Sequence, residues 1–133
     1  MMSLITIPKE RSVLVVEDNA DRIAWFKHKL EPMSYSVVYA WTVQKALNVL
    51  GAHRFDIVFL DHDAVPFFVE DTDPENDQKT FRRVAKLLAD TKYEGTVVIH
   101  SHNPVGARQM AHWLGRNAQV TVCPFGMFNI QII

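Results

Sequence analysis

The sequence predicts an α/β fold, a doubly wound five-stranded parallel sheet covered by helices on both faces, with the fifth helix short or absent. Two observations carry this expectation. Short β-branched apolar runs alternate with stretches whose apolar residues recur every three or four positions, the pattern of βαβ units. The runs are also continuously apolar rather than alternating, as strands covered on both faces are.

The first run, Val13-Leu-Val-Val16, ends in Glu17-Asp18-Asn19, which supplies an N-cap for a helix from about Ala20 to Leu30. Ile23, Phe26 and Leu30 share one face of that helix, and Pro32 follows its end. Tyr35 to Ala40 reads as the second strand. Thr42 then caps a helix with Val43, Ala46, Leu47 and Leu50 inward and Gly51 as its stop. Asp56-Ile-Val-Phe-Leu-Asp61 is the third strand, followed by a long loop from Ala64 to Lys79 that is acidic over about 69–79.

A helix over about Thr80 to Ala89 turns Phe81, Val84, Ala85 and Leu88 inward. The fourth strand, Thr96 to Ile99, breaks into His100-Ser-His-Asn103. Asn103 followed by Pro104 opens a helix to about Arg116, because asparagine caps well and proline suits the first helical position. Val120 to Cys123 is the fifth strand. Only ten residues follow Cys123, so Phe128 and Ile130 to Ile133 are expected to pack as an extra strand or a tail. The chain reads as a single domain over residues 1–133 with its core at about 12–125.

Composition excludes several classes of function. A formal net charge of −1 leaves no basic footprint for duplex nucleic acid or an anionic membrane. One cysteine, Cys123, rules out an internal disulfide and a cysteine zinc cage. No apolar run approaches the ~20 residues of a membrane span. The N-terminal stretch lacks the basic start of a signal peptide, so the expected compartment is the cytoplasm. Asp71-Thr-Asp73-Pro-Glu75 resembles the start of a calcium loop. However, Asn76 stands where that loop turns on glycine and Arg82 where it ends on a ligand.

Three of the five strands end in ionisable groups: Glu17-Asp18, Asp61-His62-Asp63 and His100-Ser101-His102. Under the flavodoxin-like strand order 2-1-3-4-5 these strands are neighbours, and ligands bind outside the carboxyl ends of such strands. Four carboxylates in one crevice call for a cation or raised pKa values. Mg²⁺ or Mn²⁺ is the expected cofactor, since hard oxygen ligands suit both and imidazole widens the choice to other transition metals. Each group also has a plain structural reading. Asp18 or Asn19 can cap the first helix, His62 can be a hydrogen-bonded core or rim residue, and Asn103 can serve only as a cap.

The run Val13-Leu-Val-Val-Glu-Asp-Asn19 resembles the opening of bacterial response-regulator receiver domains. So do Ala40 to Leu47, Asp56 to Asp61, and Pro124-Phe125 after the last strand. The resemblance implies that Glu17, Asp18 and Asp61 form an acidic metal pocket, with Asp61 at the phosphoacceptor position and Ser101 at the small hydroxyl position. There are departures. Cys123 stands where receivers carry a lysine, and His62-Asp63 with the acidic loop replaces the usual turn. Asp61-His62-Asp63 together with His100-Ser101-His102-Asn103 is similar to the divergent cyclic-phosphate-processing receivers, which implies a phosphoesterase role.

On this reading the protein is expected to be a metal-assisted phosphoesterase acting on a cyclic phosphate or a nucleotide-derived phosphoester. The metal polarises a phosphoryl oxygen and activates water. His100 and His102 serve as general base and acid, imidazole being suited to proton transfer near neutrality. Asp63 or His62 orients one of them or completes the metal shell, and Ser101 and Asn103, with the helix N-terminus, hold phosphate oxygens. The alternative is an atypical receiver acting as a signalling or protein-interaction module, with or without phosphorylation at Asp61. The corresponding partners are a small phosphorylated substrate or a signalling protein.

Overall fold

Continuously apolar strands form the centre of the molecule, seen in a computed structural model that describes residues 2–62 and 80–133. Along the chain these residues form β1 (Ser3–Ile7), β2 (Val13–Val16), α1 (Ala20–Lys29), β3 (Val37–Ala40) and α2 (Val43–Ala52). β4 (Ile57–Leu60), α3 (Arg82–Asp90), β5 (Thr96–Ile99), α4 (Pro104–Leu114), β6 (Gln119–Val122) and β7 (Phe128–Ile132) follow. The main sheet is wholly parallel in the order β3-β2-β4-β5-β6. Counted from Val13, that is the expected 2-1-3-4-5.

Alternation along each strand sorts side chains onto two faces. Leu14, Val16, Val58, Leu60, Val97 and Ile99 pack under α2, α3 and α4, meeting Ala46, Phe81, Val84, Leu88, Met110 and Leu114. Val13, Val15, Ile57, Phe59 and Val98 face the other way, toward Phe26 and Leu30 of α1 and toward Ile7, Phe128 and Ile130. These last three belong to a second, two-stranded parallel sheet of β1 and β7, in which Ser3 pairs with Phe128 and Ile7 with Ile132. The ribbon covers the sheet beside α1, so the extra strand expected over Phe128 to Ile133 forms and finds its partner in the lead-in segment.

The caps are as the sequence indicates. Asn19 Oδ1 accepts from Arg22 N at 3.1 Å, Thr42 Oγ1 from Lys45 N at 3.1 Å, and Asn103 Oδ1 from Gly106 N at 3.1 Å. Some boundaries differ. Tyr35 and Ser36 belong to a 3₁₀ segment, Glu31–Ser36, with Pro32 in its first turn, and fully exposed Tyr35 has no sheet face to join. Gly51 lies inside α2, whose ladder runs on until His53 N donates to Val49 O at 2.9 Å. α3 begins at Arg82 without a side-chain cap, and α4 ends at Leu114 with Gly115 as its C-cap. Among the described residues no helix is long and apolar enough to cross a membrane. The acidic loop lies outside the described residues.

Candidate functional site

Parallel register builds the site. Val16, Leu60 and Ile99 lie side by side at the ends of β2, β4 and β5. The ladder continues one residue further: Asp61 N donates to Val16 O and His100 N to Leu60 O, each at 3.1 Å. Glu17, Asp61 and His100 therefore form the next row, on neighbouring strands about 4.8 Å apart. Because Val16, Leu60 and Ile99 point under α2–α4, this row points to the opposite face, toward α1. All three residues are buried, Glu17 and His100 completely.

One ligand atom from each of Glu17, Asp61 and His100 lies within 4.8 Å of the others. His100 Nε2 is 3.0 Å from Glu17 Oε1, while Glu17 Oε2 accepts from the backbone N–H groups of Asp18 at 3.0 Å and Asn19 at 3.1 Å. His100 Nδ1 is buried and, among the described residues, has no hydrogen-bond partner. Asp61 Oδ1 accepts from His62 N at 2.8 Å. The guanidinium of Arg22, from the first turn of α1, closes the cluster. Its Nη1 is 3.6 Å from Glu17 Oε1 and 3.8 Å from Asp61 Oδ2, and its Cζ lies 5.0 Å from the centre of the Phe125 ring.

The carboxyls respond differently to this setting. Burial pushes Glu17 up, but its hydrogen bond to His100, the backbone N–H donors and Arg22 outweigh that and hold it below the usual range. Burial raises Asp61 to about 6, with the neighbouring Glu17 charge adding to the shift and the His100 ring opposing it. Asp18 is likewise raised to about 6 by burial and then by Glu17. A row that disfavours a second negative charge has room for a cation. One carboxylate oxygen each from Glu17 and Asp61 and one His100 ring nitrogen make a donor set that fits a divalent ion accepting mixed oxygen and nitrogen ligands.

The other residues singled out from the sequence fall in different places. Asp18 lies outside the three-residue group, beside Glu17. His102 is exposed and its Nε2–H donates to Phe125 O at 2.8 Å, so the turn after β5 separates it from His100. His62 is fully buried, and Asn103 Nδ2–H donates to its Nδ1 at 3.3 Å. Asn103 thus caps α4 and orients His62 at once. Ser101 Oγ accepts from Asn103 N at 2.9 Å, fixing the turn. Gly106 matters here, because a Cβ on it would overlap the His62 ring. Asp63 lies outside the described residues.

Sequence reasoning passed over Arg22 and the ring of Phe125 beneath it. No spacing signals it, because the contacts of Arg22 with Glu17 and Asp61 are set by how α1 crosses the strand ends.

Residues 13–116 match the family model described as the cyclic-phosphate processing receiver domain. A search of curated proteins gave no match. Among solved structures, the N-terminal domain of an uncharacterized Wolinella succinogenes protein aligns with TM-score 0.65 at 16% identity, covering 88% of this chain and 82% of that one. The non-phosphorylated HemR receiver domain of Leptospira biflexa aligns with TM-score 0.61 at 21% identity, over 87% and 82% of the two chains. The response regulator TrrA of Thermotoga maritima, solved with Mg²⁺-BeF, gives TM-score 0.61 at 16% identity over 86% and 88%.

Proposed function

The chain belongs to the cyclic-phosphate processing receiver family, and from that premise we propose that it is a receiver-type signalling module whose strand-end pocket binds a divalent cation and a phosphoryl group, with Asp61 as the acceptor. The observation that carries this reading is the in-register row of Glu17, Asp61 and His100. Glu17, Asp61 and His100 would hold the cation, Mg²⁺ or Mn²⁺, which when bound supplies electrophilic stabilisation of phosphoryl oxygens. An Asp61 oxygen attacks phosphorus of a small phosphodonor, the bond to the donor's leaving oxygen breaks, and that oxygen leaves with the electron pair. Asp61 Oδ1 is fixed by the His62 N–H, so the Oδ2 edge is the reactive one. The readout partner is a signalling protein that distinguishes the two charge states of this pocket.

A second reading, hydrolysis of a cyclic phosphate or nucleotide-derived phosphoester, is favoured by one observation. His100 is completely buried and held 3.0 Å from the Glu17 carboxylate, an orientation suited to drawing a proton from water. The leaving oxygen then needs a proton from elsewhere, because His102 is engaged with Phe125 O.

One pair of experiments separates the readings. Incubation with acetyl phosphate and Mg²⁺, followed by intact mass, is expected to give an adduct of about 80 Da, the mass of one phosphoryl group, that is absent from Asp61→Asn. Phosphorus NMR of 2′,3′-cyclic nucleotides with Mn²⁺ is expected to show no ring opening. Ring opening by the wild type and not by His100→Gln, without an adduct, would put the phosphoesterase first.

A further inference from the structure

Arg22 has an unusual position for a surface arginine. Its side chain is about one quarter exposed, at 26%, and spans two buried carboxylates. Yet its contacts with them, 3.6 and 3.8 Å, exceed the 2.7–2.9 Å of a charge-assisted hydrogen bond. Among the described residues its guanidinium makes no shorter side-chain bond, so most of its five donors are uncommitted. Glu17 is already satisfied by His100 and two backbone N–H groups. Arg22 thus neutralises the pair without being locked to it, and the Phe125 ring supports the guanidinium at the same time, 5.0 Å from its Cζ. Its two contacts fall on Glu17 and Asp61, two of the three residues whose ligand atoms cluster for a cation.

We propose that Arg22 is an exchangeable counter-cation: it balances Glu17 and Asp61 in the cation-free pocket, yields their oxygens to a divalent cation, and then takes an anionic phosphoryl oxygen at the rim. This rests on the reading that the pocket binds a divalent cation and a phosphoryl group. It adds an order of binding, cation before anion, and assigns anion recognition to α1, which holds the Arg22 guanidinium over the two carboxylates at the rim. Guanidinium suits the second task because its planar fork meets two phosphoryl oxygens at once, which an ammonium cannot do.

The test uses the full chain and two ligands, Mn²⁺ alone and inorganic phosphate in Mg²⁺-saturated protein, titrated into wild type, Arg22→Gln and Arg22→Lys. Free Mn²⁺ is read by electron paramagnetic resonance and phosphate by calorimetry. Arg22→Gln is expected to bind Mn²⁺ several-fold tighter, having lost the competing cation, and phosphate on the order of tenfold more weakly. Arg22→Lys, which keeps the charge, should restore the wild-type Mn²⁺ affinity but only part of the phosphate affinity. Equal Mn²⁺ affinity in wild type and Arg22→Gln would overturn the exchange while leaving the pocket reading intact. Undiminished phosphate binding in Arg22→Gln would overturn the anchoring role. Absence of Mn²⁺ binding by all three proteins would overturn both the exchange and the reading beneath it.

Discussion

His100 Nε2 meets Glu17 Oε1 at 3.0 Å with both side chains fully buried, although 83 residues separate them in sequence. Removing His100 takes from Glu17 Oε1 its one close donor and leaves it the Arg22 guanidinium at 3.6 Å, and losing a hydrogen bond to a buried charged group costs about 1–3 kcal/mol. His100→Ala, which also empties a fully buried ring site, is therefore expected to lose about 2 kcal/mol or more in urea denaturation. His102→Ala, which gives up one exposed hydrogen bond, is expected to lose no more than about 1 kcal/mol. Equal losses would mean that the two imidazoles are structurally equivalent, contrary to their placement.

Acid should stabilise the cation-free protein over a limited window. Asp18 and Asp61 are raised from 3.8 to about 6, so between those values the folded chain keeps protons that the unfolded chain has released. Stability from these groups then falls as pH rises through that window. Glu17, held below 4.5, contributes oppositely, and its stabilisation is lost only as pH falls further. Thermal melts in chelator are expected to show a higher midpoint near about pH 5 than near about pH 7, with a flatter slope in Asp61→Asn. Saturating Mn²⁺ should reverse the slope, because it binds the ionised row.

Gly106→Ala tests the packing behind the site. The added Cβ overlaps the His62 ring, which is fully buried and hydrogen-bonded to Asn103. Overpacking of this kind costs about 1–3 kcal/mol. A denaturation midpoint unchanged from wild type would show that His62 yields freely.

Phe128→Ala tests the two-stranded ribbon. Phe128 stacks on Phe59 at 6.1 Å between ring centroids and meets Trp25 edge-on at 5.5 Å. Its removal is expected to cost about 3–5 kcal/mol by equilibrium unfolding, as for a core phenylalanine. A loss below about 1 kcal/mol would make the ribbon an accessory rather than part of the core.

The main sheet was legible because its determinants are local. Apolar runs, Asn19, Thr42 and Asn103 as caps, and Pro104 at a first helical position each act within a few residues. The row of Glu17, Asp61 and His100 was legible one step further, through the strand order that makes their strands neighbours. Two features were not. Strand alternation would put His100 and His102 on one face, but the Ser101–Asn103 hydrogen bond turns the chain between them. Nor does anything near Ser3 announce Phe128 as its partner, since β1 is mostly exposed and its pairing spans nearly the whole sequence. Arg22 belongs with these. Its role depends on the angle at which α1 crosses the strand ends, which no spacing in the sequence encodes.

The β1–β7 pairing also bears on how the fold is reached. The strands of the main sheet can meet one after another as they are made, each beside a recently formed neighbour. The face formed by Val13, Val15, Phe59 and Val98 is different, because Phe128 and Ile130 are part of its cover. During synthesis this apolar surface waits, incompletely shielded, until residues 128–132 can close against β1. Contacts of such long range are slow to form, since their loop-closure entropy must be met before they are rewarded. Ribbon closure is thus expected as a late kinetic step, and until it occurs the nascent chain presents a sticky half-sheet to whatever is nearby.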